Sequence, residues 1–99
     1  DKEKIITLKT IQKEVANFFN LKVSALKSKN RNRNIVLARH LAMFLCRELT
    51  NTSLPEIGKN FGGKDHTSVI HACKKINSQL KVNPDISHNI KKLKDIISV

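Results

Sequence analysis

The apolar residues Leu8, Ile11, Val15, Phe18 and Phe19 recur at spacings of three and four, which lines them up on one face of an amphipathic helix. Thr7 or Thr10 is placed to cap its start. Val23 and Leu26 mark one short helix. No apolar residue then occurs over residues 27–34, a run of Lys, Asn, Arg and Ser that predicts a flexible basic loop. A second stripe, Ala38, Leu41, Ala42, Leu45 and Leu49, predicts a long central helix over residues 35–50, with Arg39, Met43 and Arg47 off the stripe. Ser53 with Glu56 three residues on makes a capping box, and Pro55 falls in the first turn, where its missing N–H costs little. The helix that starts there runs through Ile57 to Phe61 and is closed by Gly62 and Gly63, residues suited to a left-handed C-terminal cap. Asp65 stands where the next N-cap belongs. Val69, Cys73, Ile76 and Leu80, with Ala72 beside them, trace a further buried stripe that leaves Thr67, Ser68, His71, Lys74 and Lys75 outside. Asn83 and Pro84 end that helix, and Ile86, Ile90, Leu93 and Ile97 supply a final one. No strand pattern, repeat or low-complexity tract interrupts the series, so the expected fold is all-α, with about five to six helices.

At 99 residues the chain has room for one small domain and a modest core. Charge alters the picture more than size does. Nineteen Lys and Arg face eight Asp and Glu, a formal net charge of +11, which points to acidic partners. From Lys22 to Arg47 the seven charged residues (Lys22, Lys27, Lys29, Arg31, Arg33, Arg39 and Arg47) are all basic. A solvated basic face explains a short run of this kind, but the length of the block and the overall excess favour a polyanion. Neither a membrane span nor a signal peptide is legible, so a cytoplasmic, nucleoid-associated location is expected. Cys46 and Cys73 sit within apolar-periodic segments, where free buried thiols are expected rather than a disulfide.

Residues 65–68, Asp-His-Thr-Ser, are a poor opening for a helix selected for stability alone, since all four rank low in helix propensity. A short helix, a Gly-containing turn and a second helix with a polar tip over residues 53–82 form a helix-turn-helix pattern. The N-terminus of the second helix of such a unit enters the major groove, where hydrogen-bonding side chains meet base edges. Asp65 can accept from a cytosine amino group, His66 can donate or accept, and the Thr67 methyl can touch a thymine methyl. The first-turn amides suit a phosphate. Structural roles compete with these: Asp65 as an N-cap, Ser68 bonding back to the backbone near Asp65, Pro55 as a helix initiator, Arg31 and Arg33 as solvated loop charges. An arginine on a mobile arm beside a helix-turn-helix is also a means of reading the minor groove.

Enzymatic alternatives are weak. A helical offset of five splays His66 and His71 by about 140°, and no C-x-x-C pair joins them and the cysteines into a zinc site. Gly63-Lys64 is followed by Asp65, which fails the P-loop pattern. The acids are scattered, without paired carboxylates. No catalytic residue, metal ligand or cofactor is expected in this chain.

The segment LPEIGKNFGGKDHTSVIHACKKI, with ARHLAMFLCRELTNTSLPEIG upstream, resembles the C-terminal DNA-binding domain of the bacterial chromosomal replication initiators, the DnaA family. The resemblance spans essentially the whole chain and is strongest from Arg31 to Ile76. It implies a Trp-repressor-like helical domain that binds, as a monomer, short asymmetric boxes of the TTATNCACA type in double-stranded DNA at replication origins. It further implies base contacts in the major groove from Asp65, His66 and Thr67, with Pro55 against thymine methyls and Arg31 in the minor groove. Arg39, His40, Arg47 and Ser68 would hold phosphates, with Lys64 and Lys74 as neighbours. Residues 1–20 would form a connector helix toward an ATPase module absent from this chain, so ATP is expected only there. Acidic phospholipids are implied near the connector, where Lys4, Lys9 and Lys13 flank Leu8 and Ile11.

Three positions depart from the family pattern: His40 for a common Gln, Ser68 for Thr, and Arg47 for Lys. Ser68 retains the hydroxyl that a phosphate needs, whereas His40 makes its contact sensitive to pH or geometry. A different class of function also fits the composition, a basic helical adaptor for a protein or an anionic membrane with only nonspecific affinity for DNA.

Overall fold

Thr7 opens the first helix by accepting the Thr10 N–H on its hydroxyl, at 3.2 Å. The structure is a computed structural model that describes residues 5–98. Six helices follow one another: α1 (Leu8–Phe18), α2 (Val23–Leu26), α3 (Arg33–Leu49), α4 (Leu54–Lys59), α5 (His66–Val82) and α6 (Pro84–Ser98), with no strand among the described residues. Lys4, one of the residues expected near a lipid surface, lies outside them.

Helix α3 is the central element, packing against α1, α2, α4 and α5, while α6 closes the fold across α5 and α1. That position explains a departure from the expected pattern. Arg39 and Met43, which lie off the apolar stripe, are 6% and 1% exposed, because α3 is covered on more than one side by its neighbours. The helix also starts two residues earlier than its apolar pattern suggests. The Asn32 side chain accepts the Asn34 N–H at 3.0 Å, which caps the helix and draws Arg33 and Asn34 into its first turn.

The first helix turns its stripe inward. Ile11 and Val15 are fully buried and Leu8 packs against the core, so this apolar face is covered by the domain's own α3 and α6. Gln12, also buried, donates from Nε2 to the Asn60 carbonyl at 2.8 Å and ties α1 to the end of α4. At the other end of the chain, Ile86, Ile90, Leu93 and Ile97 are buried as their spacing predicts.

Helix α4 is shorter than expected. Ser53 accepts the Glu56 N–H at 3.3 Å, but the Glu56 carboxylate takes the Asn60 amide at 3.4 Å. The helix ends at Lys59, and Phe61 anchors the following turn as a fully buried side chain. Gly62 and Gly63 carry φ of 85° and 75°, the left-handed region open to glycine. A second constraint is set by Gly58, inside α4, where a Cβ would collide with the Lys64 carbonyl oxygen. Its own carbonyl accepts the Lys64 N–H at 2.8 Å, so the start of α5 is drawn directly against α4.

Candidate nucleic-acid interface

Helix α5 begins at His66, and Asp65 has the extended backbone of an N-cap residue, φ −66° and ψ 151°. Its carboxylate nevertheless makes no capping bond. Oδ1 lies 3.1 Å from His66 Nδ1, with the two side chains 71% and 53% exposed. Ser68 does not bond back through its hydroxyl either; the link to Asp65 is from the Ser68 N–H to the Asp65 carbonyl, at 3.0 Å. The structural roles that compete for these residues are therefore unfilled. Asp65, His66, Thr67 and Ser68 are all exposed at the tip of a helix whose opposite face is anchored by Val69, Ala72, Cys73 and Ile76.

Beside this tip lies a cavity of about 300 Å³ lined by Lys29, Arg31, Arg39, His40, Met43, Lys64 and Ser68. Five of the residues expected at the interface thus meet around one recess, although they come from the α2–α3 loop, α3, the α4–α5 turn and α5. The lining holds four cations and a histidine with no acid. Burial, with Arg39 and Lys29 nearby, pulls Lys64 below its ordinary value. Burial does most to lower His40 as well, with Lys75 and then Arg39 adding to it, so its imidazole is neutral at pH 7. A phosphate placed here would relieve the repulsion among like charges.

Two of these cations also hold the loop itself. The Arg39 guanidinium faces inward, with Nε 3.0 Å from the Leu26 carbonyl and Nη2 2.9 Å from that of Asn30. Lys64 Nζ donates to the Ser28 carbonyl at 3.2 Å. The expected flexible loop is thereby fastened from two sides, and Arg31 on it is exposed at the rim of the recess.

The remaining expected residues stand outside the recess. Pro55 is exposed in the first turn of α4. Arg47 is exposed in the last turn of α3, near enough to Cys73 on α5 for its charge to oppose the upward push of burial on that thiol. Lys74 lies two turns along α5 from Thr67, by a second recess with Asn77, Ser78 and Lys81. Both cysteines are free and buried, and burial, then the neighbouring Cys73, pushes the Cys46 thiol up to about 12. No cluster of three metal-ligating side chains occurs among the described residues.

Lys29 is the site residue that sequence reasoning missed. It sits within the basic run but carries no motif, and only the folding of the loop over Lys64 and Ser68 brings it to the cavity. Gly58 was equally silent as scaffold, and Gly62 was legible only as a helix cap. A Cβ at Gly62 would collide with the Lys27 carbonyl oxygen, so the basic loop rests directly on the turn between α4 and α5.

Two comparisons bear on this geometry. A family model described as bacterial dnaA protein helix-turn-helix matches residues 8–76, the stretch from α1 through most of α5. The crystal structure of a DNA replication initiation factor is similar with a TM-score of 0.81 and 37% identity, over 91% of the present chain. The chain spans about a quarter of that longer one, 27% of its length.

Proposed function

Because this chain belongs to the bacterial DnaA helix-turn-helix family, we propose that it binds double-stranded DNA in the initiation of replication, at short asymmetric boxes of the TTATNCACA type. The observation that carries the proposal is the tip of α5, where Asp65, His66 and Thr67 are exposed and the Asp65 carboxylate is not used for capping. In the major groove these side chains meet base edges, while Pro55 packs against thymine methyls. Arg31 enters the adjacent minor groove. Ser68, Lys64, His40, Arg47 and Lys74 hold phosphates, Lys29 joins them at the cavity, and Arg39 adds its positive potential there.

Helix α1 serves as the connector toward the ATPase module of a longer protein, and ATP belongs to that module. The domain acts as a monomer on each box. Its α1 stripe already packs on the core, so any contact with acidic phospholipid falls to exposed cations such as Lys9 and Lys13. No helix among the described residues is long and apolar enough to cross a membrane.

The test is a fluorescence-anisotropy titration of a duplex carrying TTATNCACA against a scrambled duplex of equal composition, at two salt concentrations. Binding to the box is expected to be tighter by about a thousandfold. Equal binding with one steep salt slope would reject base reading and leave a basic adaptor for protein or anionic membrane.

A further inference from the structure

We infer that Arg39 acts on DNA through Arg31, as a positioning residue that holds the basic loop as a preformed arm. The inference rests on the proposed minor-groove role of Arg31 and concerns how that role is prepared. Arg39 is 6% exposed, and its Nε and Nη2 donate to the carbonyls of Leu26, Asn30 and, at 3.4 Å, Ala25. A guanidinium placed this way is oriented by its acceptors and cannot turn outward without taking the donor from the buried Leu26 carbonyl and releasing that of Asn30.

The latch falls immediately before Arg31. On its other side Asn32 caps α3, and a relay of side-chain turns joins the two points. The Asn30 N–H donates to Ser28 Oγ at 3.2 Å, and the Asn32 N–H donates to Asn30 Oδ1 at 2.8 Å. Lys64 fastens Ser28, and the missing Cβ of Gly62 lets the Lys27 carbonyl rest on the turn before α5. Arg31 is thus carried on a segment whose backbone is held at residues 26, 27, 28, 30 and 32, in fixed relation to the tip of α5. An arm ordered in advance does not draw on binding energy to become ordered.

A point charge on Arg39 would not reproduce this. Three carbonyls are reached by a planar fork, and a lysine in its place keeps the charge but loses the fork. A residue whose purpose is to hold phosphate would tolerate that exchange far better.

The experiment is a double-mutant cycle of Arg39→Gln and Arg31→Ala on the box duplex, with Arg39→Lys alongside and thermal melts to set the assay below unfolding. Arg39→Gln is expected to weaken binding by about tenfold in the parent chain, and by less than about twofold once Arg31 is already Ala. Arg39→Lys should fail to restore affinity. In the DNA-free protein, both Arg39 variants should speed hydrogen exchange at the Asn32 and Asn34 amides, which Arg31→Ala should not. Equal losses from Arg39→Gln in both backgrounds, with the salt slope reduced by about one, would mark a direct phosphate contact and overturn the inference. Full rescue by Lys, or unchanged exchange, would overturn it too. Should Arg31→Ala itself leave binding to the box unaltered, the minor-groove role falls and this inference with it, a result separable from the first three.

Discussion

Asp65 illustrates how a single side chain can occupy a structural position without performing the structural task. Its backbone is that of an N-cap, but its carboxylate lies beside His66 Nδ1 rather than over the first-turn amides. Removing a working Asp cap costs about 1 kcal/mol. Asp65→Ala is instead expected to leave the urea midpoint nearly unchanged while lowering the preference for the box, and a stability loss of the full capping size would show that the carboxylate caps in solution. His40 carries a pH dependence of definite sign. Burial, Lys75 and Arg39 depress its pKa in the folded chain below the ordinary 6.5. As pH falls through that value the unfolded chain takes up the proton first, so folding stability declines. A phosphate at His40 favours the imidazolium, so DNA binding takes up a proton and affinity for the box rises as pH falls from about 7.5 to 5.5. His40→Gln should flatten both trends; profiles that match those of the parent chain would assign them to other groups.

At the scale of elements, the angle between α4 and α5 depends on a glycine that has nothing to do with capping. Replacing Gly by Ala in an unencumbered helix gains about 1 kcal/mol. At Gly58 the added methyl meets the Lys64 carbonyl and strains the Gly58–Lys64 backbone hydrogen bond, so Gly58→Ala is expected to cost about 2–3 kcal/mol. Gly63→Ala meets no atom within 4 Å and pays only for its φ of 75°, about 1 kcal/mol. Urea unfolding should therefore rank the parent chain above Gly63→Ala and Gly63→Ala above Gly58→Ala; the reverse order would mean that the turn, not the close approach, sets the geometry. Helix α1 shows the limit of reading one element alone. Its stripe was evident from spacing, yet the same stripe suits a lipid surface or a domain core. Burial of Ile11, Val15 and Gln12 decides for the core.

Across the whole molecule, the fold gathers like charges that have no internal acidic partner in the recess between the basic loop and α5. The one ion pair seen between lysine and an acid among the described residues, Lys94 with Glu48 at 3.8 Å, joins α6 to α3 elsewhere. Concentrated positive potential of this kind is relieved by bound anions, which stabilise the folded state by mass action. Inorganic phosphate near its dissociation constant is expected to raise Tm by about 2–3 °C over sodium chloride of equal ionic strength. Arg31→Ala and Lys64→Gln should each shrink the increment, and an increment that survives both would place the anion away from this recess.

Much of this was determined by the sequence alone, because the signals are local. Helices at period 3.6, the Ser53 cap, the two glycines after Phe61 and the polar tip at Asp65–Ser68 are all written within a few residues of where they act. The basic excess is likewise a property of composition. What only the tertiary structure decided depends on residues far apart in the chain. Arg39 reads as an outward charge until α2 and the loop close over it, and residues 27–34 read as mobile until Arg39 and Lys64 reach their carbonyls. Gly58 matters only because Lys64 returns against it. The first two are contacts of side chains with backbone carbonyls and the third is backbone against backbone, and neither hydrophobic periodicity nor a short motif records them, since a carbonyl oxygen is present at every position whatever its residue.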